Sequence, residues 1–363
     1  MICINLAESS LITHHSSLIT DYYFNGDENM NNLTVVFPEP KRVVIEDRQM
    51  PVVSDDDMLV QTIRTVISTG TELTILNGEF PRDSAWDNYG KFPFVPGYNN
   101  VGVVIDVGKN VDRSWIGRKV AGYMPHSAYT IVRTESIRVI NRDIPDEEAV
   151  FFTIAEIVMN GIRRGEVSWG ESVVVYGLGL LGQFATRFCH FAGARPVIGI
   201  DVSENRIGIL PKIKGIKAVN TKNTDAVKAV SELTNGRMAD VVIEVTGNPD
   251  IIPQEFALLK RQGKIVILSS PRGITKNFDF HDLCNSPSYT IIGAHNGSHP
   301  QYETPYNQWT QKRHAELYFN MVADGEIDVK PLISHRAKCS DAPNLYQMLM
   351  DDRTQAMGVV MEW

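Results

Sequence analysis

The sequence predicts an α/β protein in which a doubly wound parallel sheet is joined to a second, β-rich and partly barrel-like domain. Three observations predict it. Short β-prone runs broken by Gly, Pro and Asn fill the stretch from Leu33 to about Asn141. From Ser172 onward, strand-sized apolar runs alternate with helical segments, the order that builds a parallel sheet covered on both faces. Between the first such strand and the first such helix stands Gly177-Leu178-Gly179-Leu180-Leu181-Gly182, a G-x-G-x-x-G turn.

Taken in order, the chain opens with a segment unlike the rest, in which Ser-Ser-Leu-Ile-Thr occurs at 9–13 and again at 16–20 around His14 and His15. It lacks the basic, apolar and small-residue succession of a signal peptide. Residues 1–32 therefore read as a disordered extension, with Met30 the expected translation start. Strands are expected at Leu33 to Phe37, Met58 to Ile67, Asn100 to Val107, Lys119 to Ala121 and Tyr129 to Val132. Acidic residues between Pro145 and Glu148 precede an apolar-periodic segment, Ala149 to Arg164, which ends in two arginines before Gly165 and reads as a helix.

Ser172 to Tyr176, Leu181 to Ala192 and Val197 to Ile200 then form a strand–helix–strand unit. Further strands follow at Val241 to Val245, Lys264 to Leu268 and Thr290 to Ile292. A polar stretch leads to a helix near Ala315 to Ala323, and the chain closes in the strand-like Gly358 to Trp363.

Composition narrows the function classes. With 363 residues, 43% of them hydrophobic, the chain can build two domain cores. A formal charge of −8 provides no basic field for a phosphate backbone, which argues against nucleic acid as a partner. The longest apolar runs are strand-sized, far below the roughly 20 residues of a membrane span. Cys3, Cys189, Cys284 and Cys339 are scattered without metal-ligand or redox spacing, and a reducing, cytoplasmic setting is expected.

The glycine motif carries the cofactor expectation. Gly177 would permit the tight turn, Gly179 the approach of a pyrophosphate, and Gly182 close helix packing, with Leu178, Leu180 and Leu181 completing a helix N-terminus whose free N–H groups face phosphate. Asp201 closes the second strand, where a carboxylate accepts hydrogen bonds from ribose hydroxyls and repels a 2′-phosphate, so NAD(H) is expected over NADP(H). Val202, Arg206 and Thr246 complete the expected cofactor set, with Arg206 able to soften that preference.

Beyond this turn, the order of Gly70-Thr71-Glu72, Pro96-Gly97, Gly102 with Gly108, Gly117-Arg118-Lys119-Val120, Ala239-Asp240-Val241-Val242 and Gly358-Val359-Val360 resembles the medium-chain dehydrogenase/reductase superfamily over roughly Leu33 to Trp363. The resemblance implies a GroES-like catalytic domain at 33–152 and 295–363, and a Rossmann domain inserted at 153–294. It also implies a homodimer or homotetramer, with Thr290 to Ile292 able to extend the sheet across a dimer axis.

The departures from the zinc-dependent members are informative. Those enzymes carry cysteine before Gly-Thr-Asp, whereas this chain has Ser68-Thr69 before Gly70-Thr71-Glu72; they carry Gly-His-Glu where it has Gly97-Tyr98-Asn99. Their third ligand position falls on Thr153. Hydroxyls are poor zinc ligands, and the four-cysteine lobe of structural zinc is missing, so neither catalytic nor structural zinc is expected. The stretch Ser68 to Glu72 is similar to the zinc-free branch that includes the bacteriochlorophyllide dehydrogenases, a likeness too short to transfer a substrate.

Without zinc to lower the alcohol pKa, an acid/base side chain must handle the hydroxyl proton. Glu156 stands one helical turn past Thr153 and is the first candidate, expected to point into the cofactor cleft; its alternative is a solvated helix carboxylate. Tyr98 and His126 are the others, weighed against a pocket-wall tyrosine and a surface histidine. Glu72 is expected to hold local structure.

Ser68, Thr69, Thr153, His295 and Asn296 are the expected substrate contacts, and the run His295 to His299 with Tyr302, Tyr306, Asn307 and Trp309 suits a sugar, cyclitol or glycoside, or else forms a polar interface loop. The leading expectation is an NAD(H)-dependent oxidoreductase acting on a secondary alcohol or carbonyl. A zinc-free reductase of conjugated double bonds or quinones and a non-catalytic dinucleotide-binding protein stand as alternatives.

Overall fold

The computed structural model describes Asn31 to Trp363; the N-terminal repeat, Cys3 and the expected Met30 start lie outside the described residues. Two sheets dominate. The first half supplies β1 (Asn32–Val36), β2 (Val44–Arg48), β3 (Met58–Val66), β4 (Asn100–Val107), β5 (Lys119–Gly122), β6 (Tyr129–Val132) and β7 (Ile137–Val139). The middle supplies β8 (Val173–Tyr176), β9 (Val197–Asp201), β10 (Ile216–Asn220), β11 (Ala239–Glu244), β12 (Leu259–Ile267) and β13 (Thr290–Gly293). Strands β14 (Ile333–Lys338) and β15 (Gly358–Glu362) come last.

Strands β8 to β13 form an all-parallel six-stranded sheet in the order β10-β9-β8-β11-β12-β13. The order reverses between β8 and β11, leaving a crevice at the strands' carboxyl ends where ligands of such sheets bind. A second sheet runs β14-β15-β3-β4-β5-β7, with β6 pairing to β3. The last strand thus returns to the sheet begun by β3, with Val360 opposite Val66.

Five helices matter for the site: α1 (Thr71–Asn77), α2 (Phe152–Arg164), α3 (Leu180–Phe191), α4 (Gln311–Ala323) and α5 (Ala342–Asp352). Helix α2 packs against α3 and α4 in one core that also takes residues from β3, β8, β11 and β15. The helix expected from Ala149 is interrupted, because Phe151 leaves helical geometry (φ −83°, ψ 6°) after a short turn at Asp146–Ala149. Fully buried Phe151 then lies 6.1 Å from the Phe184 ring, while Phe152 stacks 6.0 Å from Tyr123.

Strands β2, β7, β10 and β14 had no counterpart in the sequence reading. Each lies at a sheet edge; β2 (VIEDR), β10 (IKAVN) and β14 (ISHRAK) carry exposed polar residues, whereas β7 is three residues long and its one polar side chain, Arg138, is buried.

Candidate active site

The glycine turn connects β8 to α3 as its spacing predicts. Gly177 adopts φ +103°, a left-handed region that glycine enters without a side-chain clash. A Cβ on Gly182 would collide with the Gly177 carbonyl oxygen, so that glycine is required by the turn itself. Space around Gly179 is open, and no side chain caps the helix N-terminus that follows it. Leu178 and Leu180 are buried anchors, with Leu181 packed against the same core.

Asp201 accepts from the backbone N–H of Leu178 at 2.7 Å and from those of Val202 and Ser203 at 2.7 and 2.8 Å. Arg206 Nη1 stands 3.6 Å from the same carboxylate, while the Val202 side chain is half exposed. Thr246 packs beside Gly177 and donates its hydroxyl to Glu244 at 2.6 Å. Open glycine backbone and an uncapped helix fit a dinucleotide's pyrophosphate, while the buried Asp201 carboxylate at the end of β9 is occupied by the Leu178, Val202 and Ser203 N–H groups.

At the positions where the family resemblance would place zinc ligands, the side chains bond to one another. Ser68 Oγ and Tyr98 Oη share a short hydrogen bond, Thr71 Oγ1 lies 3.2 Å from the same tyrosine oxygen, and Thr153 Oγ1 donates to the Tyr98 carbonyl at 3.1 Å. Burial pushes the Tyr98 hydroxyl up to about 12, against the lowering effect of its bonds to Ser68 and Thr71; the Glu72 charge adds to the rise. Thr69 is half-buried beside this cluster.

Glu72 takes the structural role expected of it. Its carboxylate accepts from the Ser68 backbone N–H at 3.0 Å, meets His126 Nε2 at 3.2 Å and receives the buried Tyr346 hydroxyl from α5. His126, weighed against a surface histidine, is fully buried, because the loop after β5 folds inward over α1.

Glu156 departs from its expected placement in an open cleft. The carboxylate is 0% exposed and forms a two-point contact with Arg138 of β7, Nε to Oε1 at 2.8 Å and Nη2 to Oε2 at 3.2 Å. The Tyr123 hydroxyl donates to it, standing between Glu156 and the outside. One helical turn separates Thr153 from Glu156, yet they meet different partners: the former faces the Tyr98 backbone and the latter faces β5 and β7. Burial lifts the Glu156 carboxyl to about 7, with the Arg138 charge and the bonds from Arg138 and Tyr123 opposing the rise.

Tyr123 was missed by the sequence reading, although it directly follows the buried end of β5. Its ring lies 4.3 Å from the Arg138 guanidinium, and its hydroxyl accepts from Asn296 Nδ2 at 3.1 Å. Tyr123, Arg138, Asn296, His299, Tyr302 and Gln311 line one side of a cavity of about 750 Å³.

The polar segment after β13 divides in its roles. Asn296 reaches Tyr123, whereas His295 is exposed and accepts from the Gly297 N–H at 3.1 Å. Tyr306 is 99% exposed, and Trp309 is sandwiched by the guanidinium groups of Arg163 and Arg313, 3.3 and 4.4 Å from its ring centre. Neither is available to cover a sugar face at the cavity wall, because one points to solvent and the other is already stacked.

Zinc favours thiolate, imidazole and carboxylate. Ser68, Thr69, Tyr98 and Thr153 offer hydroxyls alone, and among the described residues no group of three His, Cys, Asp or Glu is placed to hold a metal ion. This donor set does not fit a catalytic zinc. Also among the described residues, no helix is long and apolar enough to cross a membrane.

Two family models match the chain: an alcohol dehydrogenase GroES-like domain over residues 54–140 and a zinc-binding dehydrogenase domain over residues 181–312. The D-guloside 3-dehydrogenase of Escherichia coli K12 is 28% identical over 277 residues, covering 75% of this chain and 78% of that protein. Sorbitol dehydrogenase 1 of Saccharomyces cerevisiae is 25% identical over 357 residues, covering 87% and 94%. An alcohol dehydrogenase from Escherichia coli CFT073, solved in complex with NADH, shares the fold with a TM-score of 0.75 at 17% identity, over 92% of this chain and 100% of that one. With a barrel-like domain and a dinucleotide-binding sheet matched in this order, the chain belongs to the medium-chain dehydrogenase/reductase superfamily.

Proposed function

We propose that the protein is an NAD(H)-dependent oxidoreductase that interconverts a secondary alcohol and its carbonyl, on a sugar, cyclitol or glycoside, without zinc. The observation that carries this reading is the coexistence of an open dinucleotide turn with a hydroxyl-only set at the positions of zinc ligands in relatives. Gly179, the α3 N-terminus and Asp201 would hold the cofactor, whose nicotinamide supplies the hydride acceptor. The Asp201 carboxylate favours NAD(H), because a 2′-phosphate beside it would meet like charge.

Support for a polyhydroxylated substrate comes from the relatives named for D-guloside and sorbitol. It comes also from the cavity wall, which Tyr123, Asn296 and Gln311 line with polar side chains around a space suited to a small ligand. The test is NAD⁺ reduction by chelator-treated protein of verified metal content, with methyl glycosides, cyclitols, polyols and simple secondary alcohols as substrates. Turnover by metal-free protein is expected. Activity that returns only with added zinc would overturn the reading, as would silence on this panel with turnover of enones or quinones.

A further inference from the structure

A hydride transfer without zinc still requires a group to take the alcohol proton, and the buried Glu156 has no open path to a substrate. Its route outward is Tyr123. The tyrosine ring is 37% exposed and lines the cavity, while its hydroxyl points back and donates to the Glu156 carboxylate. A phenol oxygen has one donor and two acceptor sites. The donor goes to Glu156 and one acceptor site takes the Asn296 amide, leaving a second lone pair for another hydroxyl.

Placement agrees with this chemistry. Asn296 lies just past the carboxyl end of β13, and Glu156 lies in the first half of α2; both belong to the sheet edge that also carries the glycine turn. Arg138 fixes the carboxylate at two points, is itself held by Gln311 Oε1 at 3.2 Å, and stacks on the Tyr123 ring. His299 stands over the same turn of α2, its Nδ1 2.7 Å from the Asn296 carbonyl. Besides Arg138, the charged groups on the cavity wall are Glu135, Glu303, Lys312, Arg313 and Glu316.

We infer that Tyr123 is the catalytic acid/base of the proposed reaction, with Glu156, Arg138 and Asn296 as the positioning residues behind it. This inference rests on the oxidoreductase reading above. In the oxidation direction the substrate O–H bond breaks as its proton passes to Tyr123 Oη, while the tyrosine's own proton passes to the Glu156 carboxylate. The carbon–oxygen double bond would form as hydride leaves carbon, with the nicotinamide of a bound dinucleotide as its acceptor. Reduction reverses each transfer, so Tyr123 then protonates the carbonyl oxygen and Glu156 restores the tyrosine proton.

The test compares wild type, Tyr123→Phe and Glu156→Gln in three measurements. NADH affinity, read by fluorescence, should stay within about twofold in Tyr123→Phe, because the hydroxyl bonds Glu156 and Asn296 and no residue of the glycine turn. The kcat for a methyl glycoside oxidised by wild type should fall about 100-fold or more. Wild-type oxidation should weaken as pH falls through about 7, where Glu156 gains a proton, and Glu156→Gln should lose that limb.

A protonated-carboxyl infrared band that grows through the same interval and is absent from Glu156→Gln supplies a readout independent of turnover. Tyr123→Phe with undiminished kcat overturns the relay alone. Wild-type silence on the whole panel, with NADH binding intact, overturns the oxidoreductase reading and the relay with it.

Discussion

Glu255 offers a quantitative test of how this fold tolerates charge. It is 0% exposed, neither carboxyl oxygen has a hydrogen-bond partner, and it sits at the end of a short helical turn beneath the parallel sheet. Burial, reinforced by the nearby Glu244 charge, holds its carboxyl well above the ordinary 4.5. The folded chain therefore keeps a proton that the unfolded chain releases, and stability falls as pH rises from about 4.5 toward the folded value. The slope is about 1.4 kcal/mol per pH unit for one such group.

Glu255→Met keeps an unbranched side chain of similar reach and removes both the titration and the unpaired oxygens. An unsatisfied buried polar group costs roughly 1–3 kcal/mol, so the variant should gain about that much near pH 5. Urea denaturation of both proteins in unit steps from about pH 5 to about pH 8 measures the gap, which should widen by about 1.4 kcal/mol per step until the folded pKa is reached. A gap that does not change with pH, or a variant less stable throughout, would refute this reasoning.

Two further outcomes follow from the site. Asp201→Asn removes the charge at the end of β9 that favours an unphosphorylated ribose; NADH affinity should drop roughly tenfold and its margin over NADPH should shrink, measured by fluorescence titration. Tyr346→Phe withdraws a buried donor from Glu72 and should cost about 1–3 kcal/mol in urea denaturation while leaving NADH affinity unchanged, since the Glu72 cluster belongs to the barrel side.

The parts of the fold legible in the sequence are those whose causes are local. Apolar runs such as Val173-Val174-Val175 announce central strands because both faces are covered, and the unbroken periodicity of Leu180–Phe191 announces a helix. The edge strands β2, β7, β10 and β14 were not legible for the converse reason, whereas the edge strand β13 was. Ile216–Asn220 buries Ile216 and Val219 but exposes Lys217 and Ala218, so it carries neither a continuous apolar run nor a clean alternation. Helix α5 was missed as well; its inward residues Leu345, Tyr346 and Leu349 fill a core shared with distant residues such as Val35, Phe37, Ile67 and Leu76.

For the site, the sequence by itself determined the dinucleotide turn, the acidic residue at the end of the second strand and the loss of zinc-type side chains. Each depends on residue identity at fixed spacing, and the turn also on backbone freedom at Gly177 and on the space next to Gly182. Only the tertiary structure decided that Glu156 is enclosed, that His126 serves Glu72, and that Tyr123 faces the cavity. Tyr123, Arg138, Glu156 and Asn296 come from four separate segments and meet only when β5, β7, α2 and the loop after β13 pack together. No local period encodes that meeting; it is fixed by the burial that closes the two domains around α2.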